Sequence, residues 1–323
     1  METDYAELKA NGFMLQKQKD RFSMRLRVVG GNLTVERLET IRRVAEKYGE
    51  GYIHLTSRQG VEIPFIKLEE IDEVVAALEE GGVSLGASGP RVRTITACQG
   101  GRVCPSGRID AFEIAEELDK RYFGRKTPHK FKIGVTGCPN NCLKAEENDI
   151  GVKGVTETSW NAEKCVYCGA CQRACAKRKA ITVEPGKLTV DADRCIKCGK
   201  CVDSCRKGAM TGKNGYLTSF GGTFGSVVSP GRPATPVVFD KTTLFRVVDA
   251  TIDYFERYAE PKERLAATIE RRGWDEFQKI VRAAYDAGKT TPKRTKTAKK
   301  QTAVKKRPAP KREDPKKTAG KSK

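Results

Sequence analysis

Residues 21–29 alternate in character. Phe22, Met24, Leu26 and Val28 fall on one face and Arg21, Ser23, Arg25 and Arg27 on the other, the period-two pattern of a half-buried strand. Gly30-Gly31 marks a turn. Thr34 is placed to cap a helix with an apolar stripe of Leu38, Ile41, Ala45 and Tyr48, which Gly49 and Gly51 end. Two short strands follow over about 52–57 and 61–66, joined by Ser57-Arg58-Gln59-Gly60. A helix over about 69–80 then buries Ile71, Val74, Val75 and Leu78. This first unit reads as an open-faced α+β layer.

A Gly/Ser-rich linker (81–90) leads to a second unit. Val92–Ala97 reads as a strand, followed by a loop with Cys98 and Cys104. A helix over about 106–122 buries Ile109, Phe112, Ala115 and Leu118. A strand over about 130–136 runs into Cys138-Pro-Asn-Asn-Cys142, where Pro139 suits the first turn of a short helix. Beyond a Gly-rich stretch (212–232), two helical segments are predicted over about 241–258 and 262–285. From about 287 onward the chain is Lys/Pro/Ala/Thr-rich with almost no large apolar residues, the composition of a disordered tail.

Charge sharpens this division. The net charge is +20, and residues 289–323, with 15 Lys or Arg against Glu313 and Asp314, hold +13 of it. No apolar run approaches the ~20 residues of a membrane span. The N-terminal residues lack an apolar signal core, so a cytoplasmic location is expected. Cysteines there stay reduced, and the 12 of this chain point to metal or redox chemistry in place of disulfides.

Cys165-Val-Tyr-Cys168-Gly-Ala-Cys171-Gln-Arg-Ala-Cys175 recurs thirty residues on as Cys195-Ile-Lys-Cys198-Gly-Lys-Cys201-Val-Asp-Ser-Cys205. Such C-x2-C-x2-C spacing wraps three corners of a 4Fe–4S cube in a tight loop, and the fourth cysteine of each run ligates the other cube. Cys165, Cys168, Cys171 and Cys205 are then expected to form one set, and Cys195, Cys198, Cys201 and Cys175 the other. The segment resembles a bacterial two-cluster ferredoxin. It departs in lacking proline after each fourth cysteine, where Ala176 and Arg206 stand. A pair of zinc knuckles is the competing reading. Cys98, Cys104, Cys138 and Cys142 suggest a third four-thiolate site at strand ends, against two buried structural thiols plus coincidence.

The segments Val92–Asp110 and Lys130–Cys142, with Met24–Gly31 and Leu55–Gly60, resemble the siroheme sulfite/nitrite reductase family over about residues 13–285. The inserted cysteine repeat resembles the anaerobic sulfite reductase C-subunit type and the dissimilatory sulfite reductase-like proteins. The resemblance implies an α+β fold in parts: a ferredoxin-like half domain (13–80); a siroheme and 4Fe–4S domain (90–159 and 213–285); an inserted two-cluster ferredoxin module (160–212); and a basic tail (287–323). It implies siroheme and three 4Fe–4S clusters. The third is held by Cys98, Cys104, Cys138 and Cys142, with Cys142 bridging to the siroheme iron. Arg58, Arg93, Lys130 and Lys132 correspond to the family's anion-binding cations. Arg25, Arg27, Gln59, Arg102 and Arg108 are candidates for the siroheme carboxylates. Lys132, where nitrite-reducing relatives tend to carry Asn, favours sulfite.

Only one copy of the layered unit is present, so a homodimer or heteromeric assembly is expected. No flavin or nicotinamide fingerprint is visible, which leaves electrons to come from another subunit or a ferredoxin. Three function classes stand: a siroheme reductase of sulfite or nitrite, an electron-transfer subunit without siroheme, and a protein whose basic tail contacts nucleic acid.

Overall fold

The structure is a computed structural model that describes residues 4–290. The first layer comprises α1 (Tyr5–Ala10), β1 (Phe13–Leu15), β2 (Arg21–Arg25), α2 (Val35–Tyr48), β3 (His54–Leu55), β4 (Val61–Lys67) and α3 (Ile71–Glu80). Its antiparallel sheet has the order β1-β2-β4-β3. The alternation read at 21–29 is real: Phe22, Met24, Leu26 and Val28 are buried with Ile41, Val44, Ile63 and Leu78. Thr34 Oγ1 caps α2 by accepting from Arg37 N at 3.3 Å. The buried face of α2 is Thr40, Ile41, Val44 and Ala45, while Leu38 is exposed, so the stripe is rotated from the expected one.

The second layer begins with β5 (Thr96–Ala97), α4 (Ala111–Tyr122), β6 (Ile133–Thr136) and the long β7 (Ile150–Trp160). Next come α5 (Ala170–Ala174), β8 (Ile181–Glu184), β9 (Lys187–Val190) and α6 (Lys200–Asp203). The long β10 (Met210–Phe220), α7 (Lys241–Tyr258), α8 (Leu265–Arg272) and α9 (Trp274–Thr290) complete the described chain. The sheet order is β10-β7-β6-β5, with β5, β6 and β7 parallel and β10 antiparallel to β7. Its core joins Ile133, Val135, Ile150 and Val152 to Leu118 of α4, Val247 and Phe255 of α7 and Phe277 of α9.

Several expectations shift. The strand at 92–97 shrinks to Thr96–Ala97, preceded by a single parallel bridge from Val92 to Phe131. Helix α4 starts at Ala111, because the Asp110 carboxylate accepts from Glu113 N and caps it there; it buries Ile114 in place of the expected Phe112. Pro139 sits in a turn, and the nearby helical turn is a 3-10 one at Ala145–Glu147. The segment 262–285 divides into α8 and α9 at Gly273, whose φ of 101° no helix accommodates. The Gly-rich stretch from 212 opens inside β10, where β7 supplies the pairing that composition did not foretell. Helix α9 carries 287–290, and the rest of the expected disordered tail lies outside the described residues. Among the described residues no helix is long and apolar enough to cross a membrane.

Candidate functional site

The parallel neighbours β5 and β6 end side by side, and cysteines follow both. Cys98 N donates to Val135 O at 3.1 Å, and Gly137 N donates to the Cys98 sulfur at 3.0 Å. The approach is close enough that a Cβ on Gly137 would lie 2.5 Å from Gly100 Cα, so glycine is needed there. Burial pushes the Cys138 thiol up, and Cys104, Cys98 and Cys142 add to that push. The four expected sulfurs therefore share one space. Cys138 is buried, Cys98 half-buried, and Cys104 and Cys142 exposed.

The segment between β7 and β10 gathers the other eight. Cys165, Cys168, Cys171 and Cys205 line one cavity, and Cys175, Cys195, Cys198 and Cys201 line a second. Burial raises the Cys171 thiol, with Cys165 and Cys205 contributing. Cys201 is pushed up to about 11 by burial, with Cys195 and Cys198 contributing. The backbone amide of Met210, 3.3 Å from the Cys205 sulfur, lowers that thiol. Gly169 and Gly199 turn the chain at φ 70° and 73°, ahead of α5 and α6. The fourth cysteine of each run thus joins the other run's set. Among the described residues, no three His, Cys, Asp or Glu side chains are grouped to hold a single metal ion. Each cavity presents the four thiols that a 4Fe–4S cube takes as ligands.

A separate cleft, of about 280 Å³, collects positive charge. Arg25, Arg58, Arg93, Lys130 and Lys132 line it with Thr56, Ser57 and Thr94, and Glu62 is the one acid in the lining. Arg58 donates from Nη1 to Asn148 Oδ1 at 3.0 Å and from Nη2 to Thr94 O at 3.2 Å. Arg93 donates to Ala87 O, Ser88 Oγ and Gly89 O at 3.0–3.1 Å, and its buried Nε finds no partner among the described residues. Burial and then the Arg93 charge lower Arg58 to about 10. Burial and then Arg25 lower Arg93 to about 10. Lys132 is lowered to about 8 by burial, then by Arg58 and Arg264. Cations that depress one another, with an orphaned buried donor, form a site that suits an anion.

The remaining expected contacts lie elsewhere. Arg27 is held by Asp119 at 2.7 Å and lies over the Phe123 ring. Arg102 pairs with Asp110 and faces Phe112. Gln59 exchanges 2.9 Å hydrogen bonds with both backbone groups of Ala97, extending the pairing of β5. Arg108 is bound to Asp203, close to Cys198 and Cys138. The structure brings none of these four into the cationic cleft.

Two contributors escape sequence reasoning. Asp149 is fully buried and receives Lys132 N at 2.8 Å and Arg264 Nη2 at 2.8 and 2.9 Å. Burial pushes its carboxyl up against the pull of Arg264. Asp149 anchors the backbone of Lys132 and is itself held by Arg264, 115 positions further on, a distance no local pattern encodes.

Comparison with known proteins adds three results. The "Nitrite and sulphite reductase 4Fe-4S domain" matches residues 88–288, and the "Nitrite/Sulfite reductase ferredoxin-like half domain" matches 14–81. The chain is 37% identical over 256 residues to the coenzyme F420-dependent sulfite reductase of Methanocaldococcus jannaschii, covering 78% of this chain and 41% of that protein. It is 34% identical over 185 residues to the anaerobic sulfite reductase C-subunit of Salmonella typhimurium, with 51% of this chain and 53% of that protein covered. It thus spans about half or less of these relatives. The crystal structure of dissimilatory sulfite reductase I superposes with a TM-score of 0.65 at 19% identity, over 86% of this chain and 73% of that one, a likeness of fold.

Proposed function

Because the chain belongs to the nitrite and sulphite reductase family, we propose that it reduces sulfite to sulfide in six electrons at a siroheme, fed by iron–sulfur clusters. The observation that carries this reading is the cleft where five cations face a single acid. Siroheme, when bound, supplies the iron at which the anion is ligated and reduced. Arg58, Arg93, Lys130 and Lys132 hold the sulfite anion, and Arg25, which pairs with Glu62 in the cleft lining, would be the cation available to a siroheme carboxylate. Cys142 would serve as a ligand to both the strand-end cluster and the haem. The cysteine groups imply three 4Fe–4S clusters, two of them in a ferredoxin module at 160–212 between the halves of the siroheme domain (90–159 and 213–285). The half domain occupies 13–80. A single such half domain implies a second copy or a partner subunit, and an external subunit or ferredoxin as electron donor.

Lys132 is the proton donor best matched to neutral pH, since its pKa of about 8 keeps it charged yet ready to give up a proton. It binds an anion only while protonated. Sulfite affinity is therefore expected to hold below pH 8 and to fall as pH rises through about 8, which the sulfite-induced change in the haem spectrum measures. Affinity that is flat from pH 7 to 9.5 would remove Lys132 from the anion site. Lys132→Asn is expected to impair sulfite turnover more than nitrite turnover, measured side by side on one preparation; equal losses would separate Lys132 from substrate choice.

The deciding experiment is an anaerobic visible spectrum of protein expressed with siroheme supply, with iron quantified on the same sample. A siroheme band with about thirteen irons per chain, about twelve in three cubes and one in the haem, supports the proposal. About eight irons without a haem band would favour the second reading, an electron-transfer subunit, which the eight cysteines between β7 and β10 support by themselves.

A further inference from the structure

Arg108, one of five candidates for a siroheme carboxylate by resemblance, lies between two cysteine groups. Its backbone N donates to Gly137 O at 2.6 Å, next to Cys138. Its guanidinium reaches the other way, so that a Cβ on Gly199, the residue after Cys198, would lie 3.0 Å from its Cζ. The two sites meet on one strand. A Cβ on Gly154 would strike Gly137 O at 2.3 Å, and one on Gly199 would strike Thr156 Oγ1 at 2.5 Å. Gly154 and Thr156 are two apart on β7, on one face and about 7 Å from each other. Thr156 N also donates to Lys197 O at 2.8 Å, fixing the Cys195–Cys201 run against this strand.

The side chain of Arg108 is 14% exposed and forms a two-pronged ion pair with Asp203. Its Nε is buried and has no partner among the described residues. A guanidinium whose spare donor lies among two cysteine groups is suited to donate to a cluster sulfur.

We propose that Arg108 is the positioning residue at the junction of two cluster sites, which makes the Cys195–Cys201 site, and not the Cys165–Cys171 site, the immediate electron donor to the strand-end site. The inference rests on the three-cluster reading above. One electron passes from the module to the strand-end site with no bond made or broken, and an external one-electron reductant replaces it. A positive charge between two anionic clusters stabilises their reduced forms, so Arg108 raises both potentials, whereas Asp203 lowers them.

Redox poising of the reconstituted full chain, followed by electron paramagnetic resonance, tests this. Arg108→Gln is expected to lower two of three midpoints, changing the oxidised-to-reduced ratio about tenfold at fixed potential, ~59 mV for one electron. Asp203→Asn is expected to raise these two and, because Asp203 also lines the Cys165–Cys171 cavity, the third midpoint as well, and Arg108→Lys to fall between Arg108→Gln and the unaltered chain. Cys168→Ala identifies the unmoved signal as that of the Cys165–Cys171 site. Mere loosening of the loop would move Arg108→Gln and Asp203→Asn the same way. That result, or three unmoved midpoints or three moving together in Arg108→Gln, overturns the inference. With about thirteen irons per chain present, such a failure leaves the cofactor reading intact. About eight irons in the unaltered chain would overturn both.

Discussion

Cys142→Ser is expected to abolish sulfite turnover, by more than about a hundredfold, while the eight cysteines between β7 and β10 keep their iron. Loss of a group that only supports a metal ligand costs about 10–100-fold, and Cys142 is proposed as the ligand itself. It is exposed, as Cys104 is, whereas Cys138 is buried. The outer position suits a sulfur shared with a second cofactor. Turnover with an artificial reductant and the haem spectrum would be measured together. Normal turnover would refute the bridge; a lost haem band with iron still near twelve would locate the defect at the junction of haem and cluster.

Asp149→Ala is expected to cost about 3–5 kcal/mol of stability, because it strands a positive charge that the fold has already dehydrated. Asp149 has no exposed side-chain surface, and Arg264 retains 18%. The change also releases the backbone of Lys132, so the anion site should loosen before the protein melts. Thermal unfolding of Asp149→Ala beside Asp149→Ala/Arg264→Met would measure it, with the double variant recovering part of the loss. A single variant that melts within a degree or two of the unaltered chain would show that water already reaches the pair.

The parts of this molecule that are legible in sequence are those fixed by short-range geometry. Helix α7 is legible at its observed bounds because its apolar period is strong and Asp240 caps it. The two cysteine runs sort into crossed sets because a C-x2-C-x2-C loop leaves the fourth cysteine out of its own reach. Lys130 and Lys132 flank the Phe131 bridge in the extended lead-in to β6, two apart as the expected alternation had them, and both line the cleft. What cannot be read depends on partners distant in the chain. Strands β7 and β10 contain Gly, Lys and Thr in runs with no clear alternation, and each is a strand because the other pairs with it over eleven positions. Arg27 and Arg102 look equivalent to Arg25 and Arg93 in sequence, but Asp119 and Asp110 draw them away from the cleft. The role of Asp149 emerges only when α8 delivers Arg264.

The long pairing of β7 with β10 bears on how such a chain could arise. Trp160 and Met210 face each other across the ladder, and Asn161 N donates to Ala209 O at 2.9 Å just beyond it. Facing residues in an antiparallel pair lie about 5 Å apart, a gap that a two-residue turn closes. Everything from 162 to 208 therefore enters and leaves through one hairpin tip, with no strand of the host sheet interrupted. A gene fragment encoding a small electron carrier could be spliced in at that tip, or removed, without altering the register of the sheet beneath. Acquiring a built-in reductant would then need one recombination event, after which a cation such as Arg108 would be enough to connect guest and host.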